Sequence, residues 1–541
     1  MLIDEPFRYR IDDFDQRVFK AFVPPDHALA VALREIDWEG FRPSVEAFYS
    51  PDQGQPAIDP IRMLKFEFLK DHYNLSDNQV MVRTGTDIAF RYFLQVGRGF
   101  RLPDSSSLCY FRARLGEEGF SRVFNDFVGQ ARMAGLVKDR LRLKDASHVI
   151  ASIAVSSTLT LVAQIRDRLL KAVEPFDAAW VAGQRIEAGL LRERTKDQRD
   201  ELRLATRVTH LRELVAWSEQ LPVPEDRETN TATTSAWQKF QDTLALAQKI
   251  LQDHDHPDAG RKTLSVSDPD ARRGKHGAYY DGYLVDILMD PDSGIITQIN
   301  VLEAGGDEAR DAVDLVRAEQ AAHGNQIEAL SIDGAGFNGE MLSALEGPVA
   351  EGAVVEGAPA EKVSEKAGLG VTVYVPPKAQ PATRRFTPDD FKLNGAGTVV
   401  TCPAGETSQY RQRDTGRHAT IHRFTRQACD GCALQPQCET RPNTGAFGRS
   451  VTKNDFEAEY QRARERAKTE AYAEVRREHP AVERKLNEQL NHHGGRRARY
   501  RGRGKVLIQE LMTGFVVNAK HLVSSLVAVR AKREVITTAT A

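Results

Sequence analysis

The stretch Leu141-Arg-Leu-Lys-Asp-Ala-Ser-His148 is the part of the sequence from which the fold is predicted. Its apolar residues alternate with charged ones, a pattern typical of a half-buried β-strand, and Asp145 stands where that strand should end. A short apolar stretch at 327–332 predicts another strand, and Asp333 follows it directly. Because open α/β sheets hold their chemistry at the carboxyl ends of strands, we expect these two aspartates to belong to a functional site.

The segments around these two strands predict a mixed sheet flanked by helices. Residues 278–289 and 295–301 are strand-like and are separated by a Pro-Asp-Ser-Gly turn, which predicts a hairpin. A helix is predicted at 307–323 and a further strand at 371–375. In a mixed sheet built in this order the first and fourth strands are expected to be neighbours, which would bring the two aspartates together.

The chain has 541 residues, which is too long for a single core, so several domains are expected. Helix-start signals at Asp59-Pro60 and from Ser76 to Gln79 indicate a helical N-terminal region. This region is expected to bind DNA, although a plain helical bundle would show the same local patterns. The predicted divisions are a helical DNA-binding domain at 1–125, an α/β catalytic domain at 139–350 and 365–535, a helical insertion at 160–255 and a small cysteine-rich insertion at 385–450.

Composition is that of a soluble globular protein. Hydrophobic residues make up 41% and charged residues 28% of the sequence, which is ordinary for this class. No apolar run approaches the roughly 18 residues that can span a bilayer, so no membrane partner is expected. Residues 1–8 contain two acids and no long apolar stretch, so we expect no signal peptide and a cytoplasmic protein.

A basic segment lies near the C-terminus, although the net charge of −2 by itself says nothing about nucleic acid. Residues 484–505 contain eight basic residues, one acid and four glycines. This local excess of positive charge predicts contact with phosphates, and a solvated charged face is the alternative. The candidate DNA-binding residues are Arg484, Lys485, Arg496, Arg497, Arg499, Arg501, Arg503 and Lys505.

Four of the five cysteines are clustered with the spacing C-x26-C-x2-C-x5-C. Thiolates at C-x2-C spacing can bind one side of a tetrahedral Zn²⁺, and a second pair of thiolates can complete the site. Iron–sulfur ligation is an alternative, as is a disulfide, which a reducing compartment disfavours. We therefore expect a structural Zn²⁺, or the remains of a zinc site. The candidate ligands are Cys402, Cys429, Cys432 and Cys438.

Carboxylates that are far apart in the sequence are candidates for a different metal site. Hard divalent cations prefer carboxylate oxygens, and a pair of such ions can assist phosphoryl transfer on nucleic acid. Asp145, Asp333 and Glu483 fit this chemistry, because Glu483 lies on a predicted helix just before the basic segment. Glu478 is a rival for the third position. Aspartates after strands commonly cap helices or make turns, so the pattern alone is weak evidence.

Several motifs resemble those of bacterial insertion-sequence DDE transposases. In chain order they correspond to the N-terminal domain, the first-aspartate motif, the start of the second strand, the second-aspartate motif, the third-acid block and the closing helix of that family. Each motif is loose, but their order is specific, and the resemblance covers nearly the whole chain outside 160–255. The stretches are Pro103-Asp-Ser-Ser-Ser-Leu108, Phe111-Arg-Ala-Arg-Leu115, Lys144-Asp-Ala-Ser-His-Val-Ile-Ala151, Asp268-Pro-Asp-Ala-Arg272, Ile332-Asp-Gly-Ala-Gly-Phe337, Val482-Glu-Arg484, His493-Gly-Gly-Arg-Arg-Ala-Arg-Tyr-Arg-Gly502 and Val517-Asn-Ala-Lys-His-Leu522.

The resemblance implies an RNase H-like catalytic fold in which Asp145, Asp333 and Glu483 are the catalytic residues and the ligands of Mg²⁺ or Mn²⁺. It implies a transposase that binds the terminal inverted repeats of its element, cuts the DNA and transfers the freed strand to target DNA. Such a protein is expected to act as a homodimer or a larger assembly, and to be associated with the bacterial nucleoid when it is bound to DNA.

The sequence departs from the family near the third acid. Related transposases place a Tyr and an Arg before the glutamate and a Lys after it, whereas the corresponding positions here hold Arg476, His479 and Leu490. The phosphate-binding role that these neighbouring positions have in the family is therefore not assigned to Arg476, His479 and Leu490. Two other functions remain as alternatives: an RNase H-like DNA nuclease without strand transfer, and a catalytically inactive DNA-binding relative of the transposases.

Overall fold

The structure of the chain is a computed structural model that describes residues 11–51, 57–256, 261–347, 368–378, 386–394, 398–438 and 445–540. Residues 1–8, which were used to predict the absence of a signal peptide, lie outside the described residues, as do the predicted boundaries at 350, 365 and 385. The fold is a mixed sheet flanked by helices, with an N-terminal helical region, a helical insertion and a small cysteine-rich module. This architecture confirms the predicted RNase H-like α/β class.

The N-terminal region is helical, and its helices begin where the sequence supplies capping groups. The Asp59 carboxylate accepts a hydrogen bond from the Ile61 amide at 3.0 Å, and Ser76 and Gln79 form a reciprocal capping box. These two predicted helix starts are confirmed. The helices are α1 (Asp13–Phe22), α2 (Ala28–Glu35), α3 (Arg42–Glu46), α4 (Pro60–His72), α5 (Asp77–Thr86), α6 (Ile88–Leu94) and α7 (Ser106–Met133).

The central sheet has an antiparallel side and a parallel side. Its strands are β1 (Arg142–Ile150), β2 (Arg272–His276), β3 (Ala278–Met289), β4 (Ile296–Glu303), β5 (Ala329–Ser331) and β6 (Thr372–Tyr374). β3 pairs with β1 along one edge and with β2 and β4 along the other, all antiparallel, so the predicted hairpin of β3 and β4 is confirmed. β1 pairs in parallel with β5, which pairs in parallel with β6.

The two strands that carry the aspartates are neighbours, as predicted, but one strand end differs from the prediction. The parallel pairing of β1 and β5 ends at Leu143 and Ser331, and each aspartate lies two residues further along its strand direction. Asp145 is inside β1 rather than at its end, because the long strand β3 continues to pair with β1 as far as Ile150. The position of Asp145 therefore marks the end of the parallel pairing, not the end of the strand.

The helical insertion between β1 and β2 has a hydrophobic core of its own. Trp237 and Phe240 are buried there, and the rings of Trp180 and Trp217 are stacked with their centroids 3.5 Å apart. Amphipathic helices of this length are stable mainly because their apolar faces pack together. The helices are α8 (Thr158–Val173), α9 (Ala178–Thr195), α10 (Asp200–Ser218) and α11 (Thr231–Asp255).

The parallel side of the sheet is covered by α12 (Glu308–His323) and α13 (Gly339–Glu346), which pack with β5 and β6 in one apolar cluster. The cysteine-rich module follows and contains two small sheets. Its elements are β7 (Lys392–Leu393), β8 (Val400–Thr401), β9 (Tyr410–Asp414), β10 (Ala419–Thr425), α14 (Arg426–Cys429), α15 (Gln435–Cys438) and β11 (Phe447–Asn454).

The C-terminal helices return to the main core. They are α16 (Glu457–Arg466), α17 (Glu470–Glu478), α18 (Pro480–Asn487), a π-helical turn at Glu488–His492, and α19 (Arg503–Thr540). Phe515 of α19 packs against rings of the N-terminal helices, with centroids 6.0 Å from Trp38 and 4.8 Å from Phe127. The N-terminal helices and the sheet therefore share one continuous core. Among the described helices, none has the length and apolarity needed to cross a membrane.

Candidate active site

Asp145 is a partly buried carboxylate in β1, next to the point where the parallel pairing stops. Burial raises the pKa of the Asp145 carboxyl to about 6, and the negative charges of Asp333 and Glu483 add to this increase. Charges act on one another in this way only when they are close in space. Asp333 and Glu483 therefore lie within electrostatic range of Asp145, although all three are far apart in the sequence.

Asp333 lies directly after β5 and also serves as a local capping residue. Its side chain accepts a hydrogen bond from the amide of Ala335 at 3.1 Å and caps the 3-10 turn Gly334–Gly336. This is the turn role that such aspartates commonly have. The bond occupies one acceptor site of a carboxylate that has about four, so Asp333 retains the capacity to bind a cation.

Glu483 lies in the first turn of α18, which packs against β1. Its side chain is exposed. The rival residue Glu478 has a different environment, because Arg140 donates to its two carboxylate oxygens at 3.0 and 2.9 Å. The same guanidinium also binds Asp292. Glu478 is thus held in an ion-pair network at the surface, which favours Glu483 as the third carboxylate.

The three carboxylates fit a divalent cation chemically, although they are not arranged around one. Within the described residues, none of the three forms a salt bridge, although the positive charge of Lys144 partly offsets the increase in the pKa of Asp145. Carboxylate oxygens are the ligands that Mg²⁺ and Mn²⁺ prefer. No group of three or more His, Cys, Asp or Glu side chains in the described part of the chain has the spacing of a metal site. Binding of an ion would therefore draw the carboxylates closer together.

Arg476 and His479 support the strand end that precedes Asp333. The Arg476 guanidinium donates to the Ile332 carbonyl at 3.0 Å and to the Ser331 hydroxyl at 3.2 Å. The same hydroxyl is 3.1 Å from Nδ1 of His479. Burial lowers the pKa of His479 to about 4, with a further contribution from Arg476, so the ring is neutral at pH 7.

The supporting role of these two residues did not follow from the sequence. The available signal was their spacing, because residues 476, 479 and 483 recur at intervals of three and four, which places them near one face of consecutive helical turns. The resemblance to transposases led us to consider phosphate contacts for the residues that precede Glu483. Arg476 and His479 instead connect the helices that carry Glu483 to the strand that carries Asp333.

The glycine-rich part of the basic segment lies alongside the distal end of β1. The amide of Ile150 donates to the Arg496 carbonyl at 2.9 Å, and the amide of Ala498 donates to the Ile150 carbonyl at 2.8 Å. This pairing continues the sheet at the strand that carries Asp145. The basic segment is therefore attached to the strand that carries Asp145, five residues beyond that aspartate.

Five of the eight basic side chains make internal contacts. Lys485 is buried and pairs with Glu488 at 3.2 Å, and Arg496 donates to the His148 carbonyl at 2.6 Å. Arg499 donates to the Leu75 carbonyl in the N-terminal region at 2.8 Å. Arg501 and Arg503 are exposed but donate to the carbonyls of Ser152 at 3.3 Å and Val301 at 3.5 Å, whereas the other three are also less exposed. A phosphate would have to compete with these partners. The five exposed basic residues are Arg484, Arg497, Arg501, Arg503 and Lys505.

Comparison with known families assigns two parts of the chain. Residues 17–114 match a family described as Transposase domain (DUF772), and residues 401–523 match a family described as Transposase DDE domain. Both matches are to transposase families, and together they support an insertion-sequence DDE transposase. The second match contains Glu483 and the whole basic segment, whereas Asp145 and Asp333 lie outside both matched ranges. The chain has no significant match among curated proteins or among solved structures.

Proposed function

We propose that the chain binds the terminal inverted repeats of an insertion sequence and catalyses divalent-metal-dependent DNA cleavage and strand transfer. The observation that carries this proposal is the convergence of three carboxylates at the end of the parallel β1–β5 pairing. The charges of Asp333 and Glu483 both act on Asp145, although the three residues are far apart in the sequence. This is the arrangement expected of a transposase that uses metal ions held by carboxylates.

Asp145, Asp333 and Glu483 would hold the metal ions and orient the DNA. When bound there, Mg²⁺ or Mn²⁺ supplies activation of the attacking oxygen and stabilisation of the leaving oxygen. The contribution of the chain is to fix three ligands on rigid elements. Arg476 and His479 keep the end of β5 in place, so Asp333 presents its carboxylate in one direction. Phosphoryl transfer depends mainly on such positioning and on neutralisation of charge.

The exposed basic residues would bind the DNA backbone near these carboxylates. Arg484 follows Glu483 directly in the sequence, and the backbone of Arg497 forms a β-bridge with Ile150 of β1. Positively charged side chains bind phosphates without sequence preference, so this surface would hold the DNA end in register. Recognition of the repeat sequence would fall to the N-terminal helices, where the side chains of Tyr110 and Arg114 on α7 are exposed. α4 is almost entirely buried and offers little surface for DNA.

The test uses purified protein and a DNA fragment carrying the ends that flank its gene, with Mg²⁺ or Mn²⁺. The wild-type protein should nick at the ends and then join them to a target plasmid. Asp145→Asn, Asp333→Asn and Glu483→Gln should each reduce cleavage by about 100-fold or more, because each removes a ligand from the reacting centre. The matched control is Glu478→Gln, which removes a nearby carboxylate engaged by Arg140 and should cut normally.

Other results would support the alternatives. Cleavage without any joined product under conditions that permit joining would identify a nuclease. Specific binding of the ends without cleavage in either metal would identify an inactive DNA-binding relative. Because two element ends must be joined, the active species is expected to be a dimer or larger, which light scattering of the protein–DNA complex would measure.

A further inference from the structure

The four clustered cysteines line a single small cavity in the cysteine-rich module. The cavity has a volume of about 30 Å³, and its wall also includes the rings of Phe391 and Phe424. All four thiol groups are partly buried. A volume of this size admits about one water-sized particle. The fold thus brings together, around a space for one ion, four residues that occupy three separate places in the sequence.

Cys402 enters the cavity from a tight turn. The amide of Gly405 donates to the Cys402 carbonyl at 2.9 Å, and the amide of Cys402 donates to the Glu406 carbonyl at 2.8 Å. Gly405 has a φ of +89°, which residues with a Cβ rarely adopt. The turn folds the backbone back directly after the cysteine and places Cys402 in the wall of the cavity.

The pair Cys429 and Cys432 has a similar turn. The amide of Cys432 donates to the Cys429 carbonyl at 3.3 Å, and Gly431 between them has a φ of +79°. In addition, the Arg449 amide on β11 donates to Sγ of Cys429 at 3.3 Å. An amide donor of this kind stabilises negative charge on sulfur and orients the ligand, as hydrogen bonds around metal ligands commonly do.

The module also has too little apolar core to be stable by burial alone. Its cluster of buried hydrophobic residues consists of Phe391, Val400, Phe424 and Val451. Small structural units of this kind usually need disulfides or a metal to offset the entropy of ordering the chain. Three of the cysteines, Cys402, Cys429 and Cys438, pack at the edge of this same cluster. A metal bound by them would hold the two small sheets together.

We propose that Cys402, Cys429, Cys432 and Cys438 bind one structural Zn²⁺ in tetrahedral geometry. Four thiolates complete such a site and leave no open position, which makes the role structural rather than catalytic. The thiols, as placed in the described structure, do not yet have the spacing of a metal site, so binding requires their side chains to turn toward the cavity. This proposal does not depend on the transposase activity.

The test measures the metal content of the full-length protein purified without chelator, by elemental analysis. One zinc per chain is expected, with little iron. Replacement of zinc by Co²⁺ should produce the intense near-ultraviolet absorption of cobalt bound to thiolates. Cys429→Ser and Cys438→Ser should lower the zinc content to well below one per chain. Cys109→Ser, at an exposed cysteine on α7, is the matched control and should retain it.

Several results would overturn the proposal. They are less than stoichiometric zinc in the wild-type protein after addition of Zn²⁺, iron with sulfide in place of zinc, or full zinc content in both cluster variants. The wild-type measurement decides even if the cluster variants fold poorly. Asp145→Asn and Asp333→Asn should keep their zinc whatever happens to cleavage, so a failure of this proposal can be told apart from a failure of the proposed function.

Discussion

The main core and the cysteine-rich module are stabilised in different ways. The main core joins the N-terminal helices, the sheet and α19 through many buried apolar side chains, and Phe515 contacts rings from several of those elements. In the described part of the module, the apolar cluster contains four buried residues, and four cysteines line a small cavity. The three carboxylates proposed to be catalytic lie on or next to elements of the first region, where packing fixes the backbone. Mutations in the apolar core should therefore loosen the sheet near the carboxylates, whereas removal of a metal should loosen the module.

The largest effect on stability is expected from Phe515→Ala. Phe515 is fully buried and lies 4.8 Å from Phe127 and 5.6 Å from Phe41, ring centroid to ring centroid. Removing such a ring from a packed core costs about 3–5 kcal/mol. Denaturant unfolding should show this loss in the main transition. Phe424→Ala, a ring deletion of the same kind in the module, should leave that transition unchanged. A similar shift in both variants would mean that the two regions unfold as one unit.

Removal of zinc should destabilise the cysteine-rich module and leave the main core unchanged. Chelation is expected to increase hydrogen exchange at the amides of β9, β10 and β11, because metal binding supplies folding free energy to the module. The amides of β1 and β3 should keep their protection. If exchange in the sheet rises together with exchange in the module, the metal stabilises the whole chain.

Glu510 should make the stability of the main core depend on pH. Burial raises the pKa of its carboxyl to about 8 from an ordinary value near 4.5. The folded state therefore keeps a proton that the unfolded state has lost, and stability falls as pH rises from about 4.5 to about 8. The fall is roughly 1.4 kcal/mol per pH unit. Glu510→Gln should flatten this slope in urea unfolding. A slope that is unchanged in the variant would show that Glu510 is not its cause.

The smallest expected effects are on DNA affinity. Arg484→Ala and Lys505→Ala remove exposed charges, so each should weaken DNA binding and reduce the slope of log affinity against log salt by about 1. Arg499→Ala removes a side chain that binds the Leu75 carbonyl and should instead lower the unfolding free energy. Binding titrations at several salt concentrations separate the two. Equal salt slopes for the wild type and the exposed variants would contradict contact with phosphates.

The parts of the fold that follow local patterns could be predicted from the sequence. The capping groups at Asp59 and Ser76 and the hairpin of β3 and β4 are examples, because each depends on residues that are close in the chain. The adjacency of β1 and β5 followed from the order of the elements. The extension of β1 beyond Asp145 could not be predicted, because it depends on pairing with β3, which lies more than one hundred residues further along the chain.

The candidate site was predictable in part for the same reason. The resemblance to transposases named the three carboxylates, but the contacts of Arg476 with Ile332 and of Glu478 with Arg140 depend on the tertiary fold. The basic segment gives the clearest case. Its eight charges are alike in the sequence, and the structure divides them into three that are less exposed and five that are exposed.

The most direct test of the central claim is the binding of Mn²⁺ by the wild type and by four variants, measured by calorimetry without DNA. If Asp145, Asp333 and Glu483 form one site, Asp145→Asn, Asp333→Asn and Glu483→Gln should each weaken binding by about tenfold or more, while Glu478→Gln binds as tightly as the wild type. Wild-type affinity in either aspartate variant would contradict a shared site at the end of the β1–β5 pairing. Loss of binding in Glu478→Gln but not in Glu483→Gln would show that the third carboxylate is misassigned.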